Sequence, residues 1–370
     1  MQLKVTAAAP LAPSLKAVHG PRITALELAD AEMSFSQEEV LTMLEMKGDE
    51  FAERIFSRCG VQRRHLNLSG DSLATTLQGR TSQIEEELFG FAVQAVDRLN
   101  VDPQEIGTVV TATLYSLGGP TLAHRLVDHY DMDPSTDKYH ILGVGCASAV
   151  PLMRLTAQSM RDHPGKKGLV VAAESMAGIL MRSSEDDSRA KIIGSSLFGD
   201  GCAAALLDGD PYEDCDEDEG SDCAGEGPTI VASKVHQIGR TLGAVKLELA
   251  AQDSYLHLDR DLPDRAGEGL HELVEDFLRI HGSAPAAIDH WVVHPGGRRI
   301  IESVQEALEL SREQVQISYE VLANHGNVGT PSILYVLKKT IEQRSPEVGE
   351  CGLMVTIGPG ITVGLMLLQW

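Results

Sequence analysis

The chain has 370 residues, 43% hydrophobic and 23% charged, which is an ordinary globular composition rather than a disordered one. Its 54 acids against 31 bases give a formal charge of −23, which argues against nucleic acid or an anionic membrane as partner, because phosphates are held by clustered Lys and Arg. A small anionic ligand stays open, since it needs only a few local cations.

Residues 1–18 carry scattered Lys, three consecutive alanines and two prolines, without a continuous apolar core of signal-peptide length. Ser82 and Glu85 form a capping-box pattern that predicts a helix from Ser82 to Leu99. Strands are predicted at 108–113 (TVVTAT) and 139–144 (YHILGV), a helix at 147–161, and a buried strand at 168–173 (GLVVAA). The segment Leu197–Gly201 (LFGDG) leads into another buried strand at 202–207. Residues 208–226 then hold ten acids and no base, which reads as a solvated loop. In the second half, 290–293 (HWVV) is a strand and 332–343 a helix. The long apolar stretch 352–370 is interrupted by Gly358-Pro359-Gly360, so it reads as two strands joined at a turn rather than a membrane span. Six cysteines without a CxxC pair argue against a disulfide framework and for a reduced, cytoplasmic protein.

The two halves share a rhythm. Cys146 precedes a helix and then the strand GLVVAA; Asn327 precedes a helix and then the strand GLMVT. From polar residue to strand leucine is 23 residues in one case (146 to 169) and 26 in the other (327 to 353). This predicts an α/β chain of two related halves, 1–225 (with the acidic loop at about 208–226) and 226–370, with Cys146 and Asn327 at equivalent helix starts.

Three residues carry candidate chemistry. Cys146 lies in Gly143-Val-Gly-Cys-Ala-Ser148, between strand and helix, where glycines permit a tight turn and a helix dipole stabilises thiolate. A small core cysteine is the alternative. His294 ends a strand before Pro-Gly-Gly, at the carboxyl end where open α/β sheets place their sites, although a lone histidine is more often structural. Asn327, in Asn324-His-Gly-Asn-Val-Gly-Thr330, is by itself a turn signal, and His325 is its rival in the same loop. The remaining histidines, such as His124, His129 and His271, show no metal-like spacing, and HExxH and Walker patterns are absent.

GVGCASA around Cys146, LFGDG, WVVHPGG, HGNVG followed by a helix, and Gly358–Thr362 (GPGIT) together resemble the type III polyketide synthases, the chalcone-synthase-like enzymes of the thiolase superfamily. The resemblance runs from about Arg58 to the end. It implies a thiolase-like fold, two related α/β halves in a layered α-β-α-β-α core. It implies that Cys146 accepts a starter acyl group from coenzyme A, with its pKa lowered by His294 and the helix start. His294 and Asn327 would hold the malonyl thioester carbonyl, and Phe198 would gate the tunnel. Gly296 and Gly297 would line the path of the pantetheine arm. Arg54, Arg58, Arg63 and Arg64 are the candidates for the coenzyme A phosphates, with Arg58 preferred.

Departures from the plant pattern carry information. Met176 and Ile179 stand where the plant enzymes have threonines, Leu256 at a second gatekeeping phenylalanine, and Gly329 at a serine; Thr111 is kept. The pocket is thus expected to be more apolar and to take a flexible aliphatic acyl-CoA, extending it with malonyl-CoA to a cyclised pyrone, resorcinol or phloroglucinol-type product. No cofactor or metal is expected beyond the coenzyme A thioester substrates, and the family implies a homodimer. A single condensation like that of ketoacyl synthase III, or an HMG-CoA-synthase-like step, is the alternative; a Cys-His-Asn hydrolase and a non-catalytic scaffold are weaker ones.

Overall fold

A computed structural model describes residues 20–67, 76–116, 118–177, 189–209, 227–249, 254–259 and 261–370. Its strands are β1 (Arg22–Asp30), β2 (Ser34–Ser36), β3 (Arg63–His65), β4 (Ile106–Thr113), β5 (Asp137–Leu142), β6 (Lys167–Glu174), β7 (Gly201–Asp208), β8 (Thr229–Gln237), β9 (Val245–Leu249), β10 (Ser254–Leu258), β11 (His290–Val293), β12 (Cys351–Gly358) and β13 (Thr362–Gln369). The helices are α1 (Gln37–Met43), α2 (Glu50–Arg58), α3 (Leu77–Leu99), α4 (Leu122–His129), α5 (Ala149–Ser159), α6 (Arg189–Leu197), α7 (Leu262–Gly267), α8 (Leu270–Ile280), α9 (Arg298–Ala307), α10 (Gln316–His325) and α11 (Ser332–Arg344).

Nine strands run in the order β11-β12-β13-β8-β1-β7-β6-β4-β5. The two sides meet through a single residue pair, Arg22 with Thr229, so they act as two sheets. Four strands on each side share one topology, and β5 adds a fifth to the first side, parallel to β4. β4 and β6 are parallel, β6 and β7 antiparallel, β7 and β1 antiparallel. Correspondingly, β11 and β12 are parallel, β12 and β13 antiparallel, β13 and β8 antiparallel. The boundary expected at 225/226 and residues 210–226 of the acidic loop lie outside the described residues.

Burial explains the layering. β4 and β12 are buried at every position, which requires cover on both faces. In α11 the run 332–337 is buried all round, as a helix between two sheets must be. Both α5 and α11 contact strands of both halves and share one apolar cluster with them. By contrast, α3 buries one stripe, Ile84, Leu88, Phe91, Ala95 and Leu99, against the first sheet. Helices α8 and α9 do the same on the second. The result is helix, sheet, helix, sheet, helix.

One predicted start is corrected. Helix α3 begins at Leu77, capped by the Thr76 side chain, which accepts from the Gly79 N–H at 3.1 Å; Ser82 and Glu85 are interior. Their spacing is also the i, i+3 of any helix face, so the pattern alone could not fix the end. The last two strands pair in register from Cys351–Gln369 to Gly358–Thr362, as the interrupted apolar stretch predicts. Among the described residues no helix is long and apolar enough to cross a membrane, and Cys59, Cys146, Cys202 and Cys351 are free thiols.

Candidate active site

The chain reaches Cys146 through two left-handed glycines, Gly143 (φ +77°) and Gly145 (φ +62°), which turn β5 sharply into a single 3-10 turn before α5. The Gly358 backbone presses against this elbow. A Cβ at Gly358 would sit 2.6 Å from the Ala147 nitrogen, so the Gly-Pro-Gly loop needs its glycine there. His294 follows directly on β11, and its N–H extends the ladder to the Val355 carbonyl at 2.9 Å. Asn327 enters from the turn after α10.

These three residues line one cavity of about 630 Å³. The Asn327 amide is oriented by its surroundings: Oδ1 accepts from the Gly329 N–H (2.9 Å) and Ser332 Oγ (3.3 Å), and Nδ2 donates to the Gly296 carbonyl (3.3 Å). Its oxygen and its nitrogen each lie 3.9 Å from Cys146 Sγ. His294 is 1% exposed, and among the described residues neither ring nitrogen has a partner. Buried polar atoms are rarely left so, and at a cavity wall they mark where a ligand binds. Burial pushes the imidazole down to about 3, so it is neutral.

The thiol departs from expectation. Instead of being acidified, Cys146 is pushed up to about 12, first by burial and then by the charge of Glu174; its contact with Asn327 works the other way. In this state both cysteine and histidine are neutral, and a thiolate forms only by handing its proton on.

Glu174 was not foreseen. It is fully buried at the end of β6, accepting from the Leu114 N–H at 2.9 Å and from Thr330 Oγ1 at 3.1 Å. Thr330 Oγ1 also reaches the Gly145 carbonyl at 3.0 Å, so the acid ties the elbow to the Asn327 loop. Burial raises its pKa to about 7. An acid closing an otherwise apolar strand was the available signal.

Phe198, Met176, Gly296, Gly297, Gly329 and Arg58 all line the cavity. Gly329 (φ +68°) is in the left-handed region, and a Cβ there would press on the Glu174 side chain at 3.0 Å. Thr111 does not belong to this wall. Its hydroxyl is 2.6 Å from His140 Nδ1 in the adjacent strand, and the wall is formed three residues on by Leu114, past the end of β4. Ile179 and the Leu256 side chain lie outside the described residues; Leu247, paired with Leu256 in the β9–β10 hairpin, lines the cavity. Arg64 is not a mouth residue either. It is fully buried and donates to the Phe198 carbonyl at 2.9 Å, because β3 turns it inward while Arg63 points out to Ser34. Exposed arginines do gather at the mouth: Arg54 and Arg58 from α2, Arg298 and Arg299 from α9. Most of the remaining lining, including Ile193, Leu197, Val245, Leu258, Leu262, Ile300 and Ile357, is apolar, with Ser196 and Asp259 as its polar members.

A cysteine, a neutral imidazole and a carboxamide around an apolar cavity, on a thiolase-like fold, is the arrangement of an acyltransferase. Residues 24–217 match the family of FAE1/type III polyketide synthase-like proteins, and residues 229–370 the C-terminal domain of chalcone and stilbene synthases. The chain belongs to the type III polyketide synthase family. It is 27% identical to a 3,5-dihydroxyphenylacetyl-CoA synthase of Streptomyces toyocaensis over 95% of this chain and 90% of that one. To an alpha-pyrone synthesis polyketide synthase-like protein of Mycobacterium tuberculosis it is 30% identical, over 71% of this chain and 65% of that one. The fold is similar to that of PKS-I from the brown alga Ectocarpus siliculosus, with a TM-score of 0.84 at 23% identity, covering 96% of this chain and 99% of that one.

Proposed function

We propose that this protein loads an aliphatic acyl group from coenzyme A onto Cys146 and extends it with malonyl-CoA to a cyclised polyketide. The observation that carries the proposal is Asn327 Nδ2 at 3.9 Å from Cys146 Sγ, in a cavity whose His294 ring nitrogens have no partner among the described residues. Cys146 sulfur attacks the thioester carbonyl as its proton passes to His294, and coenzyme A leaves with that proton. Malonyl-CoA then takes its place. Its terminal C–C bond breaks, CO₂ departs, and the electron pair passes to an enolate. The neutral His294 and the Asn327 amide donate to the enolate oxygen, where each donor contributes about 3 kcal/mol as charge develops. The carbanion attacks the acyl-cysteine carbonyl, Cys146 thiolate leaves, and the chain is two carbons longer. No cofactor or metal is needed for this chemistry, because loss of CO₂ generates the carbanion.

We also propose roles for the residues that line the cavity. Arg58, with Arg54 beside it, holds coenzyme A phosphates; the Gly296 and Gly297 backbone passes the pantetheine arm; Phe198 gates it. Met176 and Leu114 line the starter pocket, and their apolar character favours an alkyl chain over a hydroxylated aromatic ring. We further propose a cytoplasmic homodimer of related halves. Mass spectrometry of products from aliphatic and aromatic acyl-CoAs with malonyl-CoA tests the proposal. Several malonyl units per aliphatic starter are expected. One unit per starter favours the single-condensation alternative, and preference for an aromatic starter of similar size contradicts the alkyl assignment.

A further inference from the structure

Asp30 at the end of β1, His65 at the end of β3 and His325 at the end of α10 come together from chain positions as far as 295 residues apart, where no sequence spacing could announce them. One ligand atom from each lies within 4.8 Å of the others. We propose that these three side chains form a binding site for a zinc-class divalent cation, with water completing the coordination.

The geometry is close to that of an assembled site. His325 Nδ1 and Asp30 Oδ1 are 3.1 Å apart. Ligand atoms bonded to one tetrahedral zinc at about 2.0–2.1 Å are roughly 3.4 Å apart, so a cation fits between Asp30 and His325 with little movement, while His65 closes in from within 4.8 Å. His65 Nδ1 donates to the Ala31 carbonyl at 2.9 Å, which leaves Nε2 as the lone pair; a backbone acceptor behind the imidazole is the usual support of a metal-ligating histidine. Tyr335 hydroxyl donates to Asp30 Oδ1 at 3.0 Å and fixes the carboxylate. The His65 and His325 rings lie nearly parallel, 21° apart with centroids at 5.7 Å. Two imidazoles and one carboxylate suit zinc or cobalt better than calcium or magnesium, which prefer oxygen. The side chains of Asp30 and His325 stay 26% and 15% exposed, so an ion can enter from solvent.

The site lies outside the cavity, and its consequence is mechanical. Only Gly326 separates His325 from Asn327, and the His65 carbonyl accepts the Asp200 N–H at 2.8 Å beside Phe198-Gly199. A bound ion therefore fastens the segments that carry Asn327 and Phe198.

The test uses chelator-stripped full-length protein titrated with Co²⁺ and Zn²⁺. Expected are one equivalent of Co²⁺ with visible bands of a low-coordinate nitrogen and oxygen site, displacement by Zn²⁺, and a rise in Tm with Zn²⁺. His65→Gln and Asp30→Asn should each weaken binding at least about tenfold. A wild-type spectrum identical to hexa-aqua cobalt overturns the proposal, even if the variants fold poorly. Undiminished binding by both variants overturns it too. Both readouts are independent of polyketide synthesis.

Discussion

Phe198 and Asn327 face each other across one parallel β-bridge. The Asn327 N–H donates to the Leu197 carbonyl at 2.8 Å, and the Gly199 N–H donates back to the Asn327 carbonyl at 3.0 Å. The proposed gate and the proposed enolate donor are thus clamped backbone to backbone, and Arg64 holds the same strip at the Phe198 carbonyl. Displacing one residue displaces the other.

Substitution at Gly199 tests that clamp. A Cβ there would lie 2.3 Å from the His325 carbonyl, which belongs to backbone and cannot swing away. Gly199→Ala should cost about 1–3 kcal/mol of stability and lower turnover at least about tenfold, a loss of transition-state positioning. Gly243→Ala, with nothing within 4 Å, should change neither. Thermal melts and steady-state rates check this; a wild-type Gly199→Ala enzyme would show that the clamp does not matter.

Glu174 gives a signed pH dependence. Its pKa rises from 4.5 to about 7 on folding, so the folded state holds the proton more tightly than the unfolded chain. The stability this contributes is full below about 4.5 and is lost as pH rises through about 7. Glu174→Gln imitates the protonated acid at every pH. Its Tm relative to wild type should therefore increase between about pH 5 and 8. The same variant removes the charge that helps to push Cys146 up, so iodoacetamide labelling of Cys146 should reach its half-maximal rate at lower pH. A Tm difference that does not change with pH would contradict the burial assignment.

Arg54 and Arg58 are four residues apart on α2 and so share a face at the cavity mouth. Each charge-assisted bond to phosphate is worth about 1.5–3 kcal/mol. The double Arg54→Ala, Arg58→Ala variant should raise KM for malonyl-CoA at least about tenfold with little change in kcat. KM for a short thioester without the nucleotide should be unaffected. Equal loss on both substrates would mean that these arginines do not read the phosphates.

Much of this was legible in the sequence, because strands buried on both faces read as unbroken apolar runs and the helix starts carry glycine elbows. GLVVAA and GLMVT announced the two halves, and GVGC and HPGG announced the polar residues at their ends. Side-chain direction was harder to read. Thr111 matches a threonine of the plant pattern, yet the position three residues on lines the wall. Arg64 was indistinguishable from Arg63 until pairing in β3 decided which points inward. The Cys146 pKa could not be foreseen either, because it depends first on burial of the thiol and then on Glu174, 28 residues away in sequence and joined to the elbow through Thr330.

The most direct measurement is the intact mass of the protein after brief exposure to a long-chain acyl-CoA without malonyl-CoA, followed by peptide mapping. One acyl group on Cys146, absent from Cys146→Ala and released as extended product when malonyl-CoA is added, is the predicted result. An unmodified Cys146, or an acyl group carried on Cys59 instead, would contradict it.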